Sequence, residues 1–325
     1  MRATQAIITA TGGPEAIEWR EVDLPAPGPG EVLVRHEAVG LNFIDTYYRS
    51  GLYQVPMPTP LGGEAAGVVE AVGPDVRQFA PGDRVATFGP SLGAYATARI
   101  APAAELFALP ADIDAQTAAA VMLKGCTVEF LAERAAHVAP GDWVLVHAAA
   151  GGVGQLLGQW LAAKGARVIG TVGSEAKAEL ARALGAEAVL LADTPDLAGQ
   201  IRARTDGAGV SVAYDGVGAA TWNVSLAATR RRGIIVSFGN ASGAVTGVAL
   251  TQLAGAGSLF VTRPRLFDYY VTPQERAEGI EKLWAMLRSG KVRVSIGQTF
   301  PLLQAEQAHR ALEARATTGS TLLLV

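Results

Sequence analysis

The segment Val144–Gly154 has the glycine spacing of a loop that binds nucleotide phosphates. Ala149, Gly151 and Gly154 occupy the three small-residue positions of the dinucleotide-binding pattern, with Ala in place of the first Gly. These small residues permit a tight turn, close approach of a pyrophosphate and close packing of the next helix. A glycine triplet alone also fits a plain turn between a strand and a helix. Here it follows an apolar strand-like run and opens a helix, which favours cofactor binding.

The end of the next predicted strand indicates which nicotinamide cofactor to expect. An NAD site places Asp or Glu there, about 20 residues after the glycine loop, whereas this chain has Gly173-Ser174-Glu175-Ala176-Lys177. Ser174 is a suitable N-cap, which puts Lys177 in the first helical turn, where a cation is locally unfavourable. If the 2′-phosphate of NADPH lies beside Ser174 and Lys177, its negative charge would make the lysine at this position favourable. The alternative is an ordinary surface lysine offset by Glu175.

A third segment, Val39–Tyr53, is dense in aromatic residues, although only 6% of the chain is aromatic. Asn42 and the tyrosines offer polar tips on flat side chains, which suits contact with a planar ring. The alternative is a helix that packs Phe43 and Tyr47 into an interface, and the pattern does not separate the two.

The elements that must position these segments fall into two classes. The first third predicts a mostly antiparallel barrel or sandwich, with strands at Gln5–Thr9, Glu31–Gly40, Gly67–Val72 and Ala94–Ile100. From Trp143 onward, strands alternate with helices, which predicts a parallel sheet covered on both faces. The predicted strands there are Trp143–Ala148, Arg167–Val172, Ala188–Leu191, Ser211–Tyr214, Gly233–Phe238 and Ser258–Thr262. The predicted helices are 153–164, 175–184, 197–204 and 219–228, with 274–288 and 305–315 beyond them. Between those last two lies a strand, Lys291–Phe300, and the tail Thr321–Val325 is expected to return to the first domain.

Composition excludes several classes of function. The 325 residues suggest two domains, and 50% hydrophobic with 18% charged residues allows a large core. The net charge of −3 with scattered Lys and Arg argues against nucleic-acid or membrane partners. The single cysteine, Cys126, excludes an internal disulfide and fits a reducing compartment. With no signal peptide and no membrane span expected, a cytoplasmic location is predicted. Cys126 and His147 are interpreted as buried structural residues.

Several motifs together resemble the NADPH:quinone oxidoreductases, the zinc-free, zeta-crystallin-like branch of the medium-chain dehydrogenase/reductase superfamily. They are Asn42-Phe-Ile-Asp-Thr-Tyr, Arg49-Ser-Gly-Leu-Tyr, Lys124-Gly-Cys-Thr, His147-Ala-Ala-Ala-Gly-Gly-Val-Gly, Ser237-Phe-Gly-Asn and Val261-Thr-Arg-Pro. The resemblance implies an α/β protein with a GroES-like β-rich catalytic domain at 1–122 and 264–325. It also implies a Rossmann domain, a doubly wound parallel sheet that binds NADPH, at 123–263. A cleft between the domains and a homodimer are implied by the resemblance alone.

The resemblance also assigns site residues. Tyr47 and Asn42 are expected to act in catalysis, and Phe43, Tyr47 and Tyr53 to contact the substrate. Cofactor binding is expected of the following residues: Asn42, Ile44, Lys124, Thr127, Gly151, Gly152, Val153, Gly173, Ser174, Lys177, Phe238, Gly239, Asn240, Ser242, Phe260, Val261, Thr262 and Arg315. Tyr47 is either a proton donor to the reduced oxygen or a packing residue. Ala192 is a departure, because relatives often have a Tyr there that helps to bind the adenosine phosphate.

No metal site is expected. Zinc-dependent relatives carry Gly-His-Glu where this chain has Gly62-Gly63-Glu64, and no cysteine lies near Asn42. Catalytic zinc needs three protein ligands and an open position. The four histidines form no cluster in the sequence.

The function expected is therefore zinc-independent hydride transfer from NADPH to a quinone. An NADPH-dependent enone or alkenal reductase is the nearest alternative, because it would use the same cofactor half. A low-turnover NADPH-binding protein, crystallin-like or RNA-associated, is the alternative from another class, and the pI near 5.9 weighs against RNA.

Overall fold

Mostly antiparallel β-structure occupies the first 110 residues in the computed structural model, which describes all 325 residues. The strands are β1 (Arg2–Ile8), β2 (Glu18–Asp23), β3 (Glu31–Leu41), β4 (Thr59–Pro60), β5 (Glu64–Val72), β6 (Arg84–Phe88), β7 (Ala98–Pro102) and β8 (Leu106–Ala108). They form a small sheet of order β2-β1-β4 and a larger one in which β3, β5, β6 and β8 are successive neighbours and β7 also pairs with β3. Helix α1 (Phe43–Ser50) follows β3 directly, and α2 (Ala115–Phe130) follows the sheets. The predicted β-rich domain is confirmed.

The parallel sheet predicted after Trp143 is also present. Its strands are β9 (Trp143–Val146), β10 (Arg167–Val172), β11 (Ala188–Leu191), β12 (Val210–Asp215), β13 (Thr229–Ser237) and β14 (Phe260–Thr262). The helices are α3 (Gly152–Ala163), α4 (Glu175–Ala183), α5 (Leu197–Ala203), α6 (Trp222–Ala228), α7 (Leu250–Gly255), α8 (Leu266–Tyr269) and α9 (Pro273–Arg288). The sheet order β11-β10-β9-β12-β13-β14 is that of a Rossmann fold. Its direction of winding reverses between β9 and β12, where such folds bind ligands beyond the carboxyl ends of the strands.

The end of the chain returns to the β-rich sheet, as predicted for the tail. The last elements are β15 (Ile296–Pro301), α10 (Ala305–Glu313) and β16 (Ser320–Leu324). Strand β16 pairs antiparallel with β3, and Thr321 lies opposite Leu41. The tail thereby supports the end of β3, immediately before Asn42.

Contacts divide the chain into two units, which we call the β-rich unit (1–124 and 294–325) and the parallel-sheet unit (125–293). Residues 123–124 thus lie in the β-rich unit and residues 264–293 in the parallel-sheet unit, whereas the expected bounds placed each of them in the other domain. For residues 264–293, their packing gives the reason. The ring of Tyr269 stacks on Phe130 with centroids 4.6 Å apart. The Tyr270 hydroxyl donates to the buried carboxylate of Glu129 at 3.0 Å, and Lys282 Nζ lies 3.3 Å from the same side chain.

The main element absent from the sequence prediction is α2. Its residues 118–122 are fully buried, so the helix is apolar on every side and shows no amphipathic period. A π-helical turn, Leu131–Ala135, extends it, and 3₁₀ turns lie at Pro14–Ala16, Ala103–Glu105 and Leu302–Gln304. None of the helices has both the length and the apolar character needed to cross a bilayer.

Candidate active site

The glycine loop joins β9 to α3 in the parallel-sheet unit. Gly151 is the N-cap of α3, and no side chain caps this end of the helix. A Cβ on Gly154 would lie 2.2 Å from the carbonyl oxygen of Ala148 and 2.8 Å from Cα of Ala149, so only glycine lets the helix pack on the loop. The N-terminal amides of α3 are left without intrahelical acceptors and lie at the positive end of the helix dipole. This geometry fits a bound pyrophosphate.

The start of α4 carries the second predicted cofactor contact. Ser174 is its N-cap and accepts a hydrogen bond from the Lys177 backbone N–H at 3.4 Å, which places Lys177 at the third helical position, as predicted. Ser174 is exposed and Lys177 half-buried, and no atom lies within 4 Å of where a Cβ on Gly173 would stand. The segment after β10 therefore provides open space beside Gly173, the hydroxyl of Ser174 and the positive charge of Lys177. The residues fit a phosphorylated ribose.

The loop after β13 contains four of the expected cofactor residues. Gly239 approaches the neighbouring loop so closely that a Cβ would lie 2.2 Å from the Gly216 carbonyl oxygen. The Ser242 hydroxyl donates to the Val217 carbonyl at 2.8 Å and accepts from the Ala220 N–H at 3.0 Å. With its side-chain amide oriented so that both polar atoms have partners, Asn240 donates to the Gly239 carbonyl at 2.9 Å and accepts from Arg263 Nη2 at 3.1 Å. The Ser242 hydroxyl thus joins two loops.

The remaining expected residues of this unit occupy different places. Phe238 and Thr127 are half-buried. Phe260, Val261 and Thr262 form β14, the edge strand of the sheet, where Phe260 is 62% exposed and Val261 40% exposed.

In the β-rich unit, Asn42 and Lys124 meet at a buried carboxylate that the prediction did not include. The Asn42 amide nitrogen donates to Glu64 Oε2 at 2.7 Å, and Lys124 Nζ lies 3.6 Å from the same oxygen. The Leu123 N–H donates to Glu64 Oε1 at 2.6 Å. Burial raises the pKa of Glu64, while Lys124 and the two hydrogen bonds lower it. In the sequence, Glu64 is marked only by its place in the altered zinc motif Gly62-Gly63-Glu64.

A second buried acid, Asp45, lies one helical turn after Asn42. Its Oδ2 accepts from the Asn42 backbone N–H at 2.8 Å and from the Tyr95 hydroxyl at 3.1 Å. The Tyr95 hydroxyl also lies 3.1 Å from His309 Nε2. Burial raises the pKa of Asp45 to about 7 and lowers that of His309 to about 3. The spacing of Asn42 and Asp45 is a helix-start signal, but nothing in the sequence pointed to Tyr95 or His309.

The structure brings the three expected substrate residues together. The Tyr47 ring lies 6.4 Å from Phe43 and 5.2 Å from Tyr53 between centroids. Tyr47 is 9% exposed, and Ile44 on the same helix is half-buried. Both alternatives for this segment persist, because a helix is present and aromatic rings also cluster. Arg315 is exposed and has a positive φ of 56° just after α10.

Cys126 and His147 are both buried, as predicted. Cys126 is fully buried, and His147 is 2% exposed with both ring nitrogens in hydrogen bonds. No group of three or more His, Cys, Asp or Glu side chains is arranged to hold a metal ion.

Comparisons with known proteins find relatives for both units of the chain. The family described as "Zinc-binding dehydrogenase" matches residues 152–285, and the "Alcohol dehydrogenase GroES-like domain" matches residues 28–111. The chain is 48% identical to a quinone oxidoreductase of Pseudomonas aeruginosa, with 97% of each chain covered. It is 43% identical to a 2-haloacrylate reductase of Burkholderia sp, with 98% of each covered. Its fold matches the crystal structure of Escherichia coli quinone oxidoreductase complexed with NADPH at a TM-score of 0.97 and 44% identity, covering 99% of this chain and 100% of that one.

Proposed function

The chain belongs to the quinone oxidoreductase family of the medium-chain dehydrogenase/reductase superfamily, and we propose that it reduces quinones with NADPH. The observation that carries the proposal is the uncapped start of α3 on the glycine loop, with Ser174 and Lys177 at the end of the next strand. That pair of features supports a dinucleotide with a 2′-phosphate. The relative of known structure that is 44% identical was crystallised with NADPH.

The binding roles follow from the groups that each residue presents. Gly151, Gly152 and Val153 offer amides and close approach to the pyrophosphate, and Ser174 with Lys177 offers a hydroxyl and a cation to the 2′-phosphate. The loop from Phe238 to Ser242 and the strand β14 are proposed to orient the nicotinamide riboside. In the β-rich unit, Asn42, Ile44, Lys124 and Arg315 are proposed as further contacts, and Thr127 as one in the parallel-sheet unit.

When bound, NADPH supplies the hydride from C4 of its nicotinamide. The chain must orient the quinone, exclude water and deliver one proton, so that NADPH, a proton and quinone give NADP⁺ and hydroquinone. Phe43, Tyr47 and Tyr53 form a cluster of rings, packed tilted and edge-on, that offers aromatic contacts to a planar acceptor. Tyr47 Oη is the proposed proton donor. A quinone needs little activation by the protein because its reduction creates an aromatic ring.

A second candidate function is reduction of an activated C=C bond, and the 43% identity to a 2-haloacrylate reductase favours it. The residues proposed to bind NADPH would be the same for both functions. Only the acceptor differs, so the sequence around Phe43–Tyr53 is where the two candidates separate.

Initial rates with NADPH and a panel of acceptors test the proposal. We expect kcat/KM for 1,4-benzoquinone and 9,10-phenanthrenequinone to exceed that for an enone or 2-chloroacrylate. The reverse order supports the second candidate. Tight NADPH binding without turnover of any acceptor supports a binding protein. Lys177→Glu is the control. If the activity belongs to this chain, this variant should lower the initial rate of reduction of every acceptor by the same factor.

The proposal includes a homodimer in the cytoplasm. Strand β14 ends the parallel sheet, and its exposed Phe260 and Val261 lie beside an unpaired strand edge. Pairing of β14 with the same strand of a second copy would satisfy that edge with two-fold symmetry. Sedimentation equilibrium of the wild type against Phe260→Asp tests this: the wild type should be a dimer that the variant weakens. A monomeric wild type would refute it. The single cysteine supports the cytoplasmic location.

A further inference from the structure

Asp215 lies at the carboxyl end of β12, beside the point where the winding of the parallel sheet reverses. It is 1% exposed, and four donors surround its carboxylate. Oδ1 accepts from the N–H groups of Val217 and Gly218, both at 2.9 Å. The Thr221 hydroxyl lies 2.8 and 2.9 Å from the two oxygens, and the Ser225 hydroxyl donates to Oδ2 at 2.7 Å. No motif in the sequence marks Asp215 as a functional residue.

The hydrogen bonds continue to the strand that carries the glycine loop. Because the Ser225 hydroxyl gives its proton to Asp215, it can only accept from His147 Nε2, which lies 3.1 Å away. His147 Nδ1 must then accept from the Thr171 hydroxyl at 2.8 Å. Burial lowers the pKa of His147, so the ring is neutral and holds this single tautomer. The chain of bonds joins the carboxyl ends of β10, β9 and β12.

The loop that Asp215 holds is in turn attached to the loop after β13. The Val217 carbonyl accepts from both the backbone N–H and the hydroxyl of Ser242, each at 2.8 Å. The Ala219 N–H donates to the Gly243 carbonyl at 3.1 Å. Backbone contact between Gly216 and Gly239 leaves no room for a side chain. The position of Phe238–Ser242 therefore depends on the loop 216–221, and that loop depends on Asp215.

We propose that Asp215 is a positioning residue for the nicotinamide half of the cofactor, acting through the loops 216–221 and 238–242. The inference rests on the proposed function, because those loops matter only if NADPH binds there. It predicts a division within the cofactor site. The adenosine half depends on the glycine loop, which the backbone packing of Gly154 against Ala148 holds without Asp215, and on Ser174 and Lys177. The nicotinamide half depends on the two loops that Asp215 holds.

The test measures the dissociation constants of NADPH and of adenosine 2′,5′-bisphosphate, which lacks the nicotinamide, by equilibrium titration. In Asp215→Asn the charge is lost, and the new amide nitrogen faces either the Val217 and Gly218 N–H groups, which can only donate, or the Ser225 hydroxyl, which can then no longer donate to this side chain. We expect NADPH to bind on the order of tenfold more weakly, with binding of the bisphosphate unchanged. Equal loss of both ligands would show a general structural role and overturn the inference, as would no loss of either. If the wild type binds neither ligand, the proposed function fails instead.

Milder variants keep the test valid if Asp215→Asn does not fold. Thr221→Val removes one hydroxyl from Asp215 and should weaken NADPH alone, whereas Thr221→Ser keeps the hydroxyl and should restore binding. Ser211→Ala is the matched control, because its hydroxyl donates to the Trp143 carbonyl at the opposite end of β12. It should leave both dissociation constants unchanged. Loss of NADPH binding in Ser211→Ala, or in Thr221→Ser as much as in Thr221→Val, would contradict the inference.

Discussion

The two units prepare their expected ligand contacts in opposite ways. The glycine loop of the parallel-sheet unit presents backbone amides, and its geometry comes from glycines a few residues apart. The Asn42 region of the β-rich unit presents a side chain that distant residues hold. Glu64 fixes the Asn42 amide, and Asp45 is held by Tyr95, 50 residues away in the chain. The glycine loop, a backbone site, is determined by nearby residues and tolerates little added volume. The Asn42 region, a side-chain site, depends on buried acids and hence on pH.

The largest expected effect concerns the buried acid of the β-rich unit. An acid whose pKa is raised on folding binds more protons in the native state, so its contribution to stability falls as pH rises through that interval. For Asp45 the interval runs from 3.8 to about 7. Relative to Asp45→Asn, the wild type should lose roughly 4 kcal/mol of unfolding free energy between pH 3 and 8. Urea denaturation at a series of pH values measures it.

The difference between the two proteins isolates Asp45, because Glu64, Lys124 and His309 are common to both. Asp83→Asn, at an exposed turn where the carboxylate accepts from the Ala80 N–H, is the control and should keep the wild-type profile. A wild type that gains stability over Asp45→Asn as pH rises would reverse the sign and contradict this account of the β-rich unit.

The backbone site should instead respond to a single methyl group. Gly154→Ala places a Cβ against the Ala148 carbonyl, so α3 must move, and we expect a loss of about 3 kcal/mol in unfolding free energy. Gly158→Ala on the same helix meets no atom within 4 Å and should stabilise the protein by about 0.5–1 kcal/mol. Guanidinium denaturation compares the two. A Gly154→Ala variant as stable as Gly158→Ala would show that the loop tolerates added volume.

The charge of residue 177, just after β10, should determine the preference for NADPH over NADH. Lys177→Glu is expected to weaken NADPH binding by about 30-fold, or ~2 kcal/mol, because an anion would face the 2′-phosphate. Binding of NADH should be nearly unchanged. The control is Arg182→Glu on the same helix, where Arg182 pairs with Glu175 at 3.0 Å on the surface. Titration of both cofactors decides, and an equal loss for NADPH and NADH would remove the phosphate role.

The smallest effect is expected in the aromatic cluster. If Tyr47 delivers a proton, Tyr47→Phe should lower kcat/KM for 1,4-benzoquinone by about tenfold while the dissociation constant of NADPH stays constant. Tyr48→Phe, whose ring lies beside Tyr53, is the control. An unchanged kcat/KM in Tyr47→Phe would leave this residue with a packing role only.

Elements that depend on signals within a few residues could be predicted from the sequence, whereas elements that depend on distant contacts could not. Strands β10 and β11 have the bounds that their apolar runs predict, and Ser174 caps α4 as expected, because these signals act within a few residues. Helix α2 was missed because burial on every side removes the amphipathic period. Strand β15 begins at Ile296, five residues later than predicted, since the run after α9 first forms an irregular connection.

The supporting residues of the site were beyond sequence reasoning. Tyr95 and His309 are 214 residues apart, and Asp215 meets His147 only through Ser225. In the sequence, Asp215 at the end of an apolar strand is indistinguishable from the first residue of an ordinary loop. Its role depends on which strands lie beside β12. Motifs identify groups that touch a ligand, whereas the groups that hold those motifs in place come from topology.

Single-turnover reduction of 1,4-benzoquinone by NADPH with deuterium at the transferred C4 position tests whether the hydride passes directly from the cofactor to the quinone. We expect one hydroquinone per NADPH, formed more slowly than with the unlabelled cofactor, because the C4 hydride moves directly to the acceptor. Absence of NADPH oxidation with this quinone would contradict it.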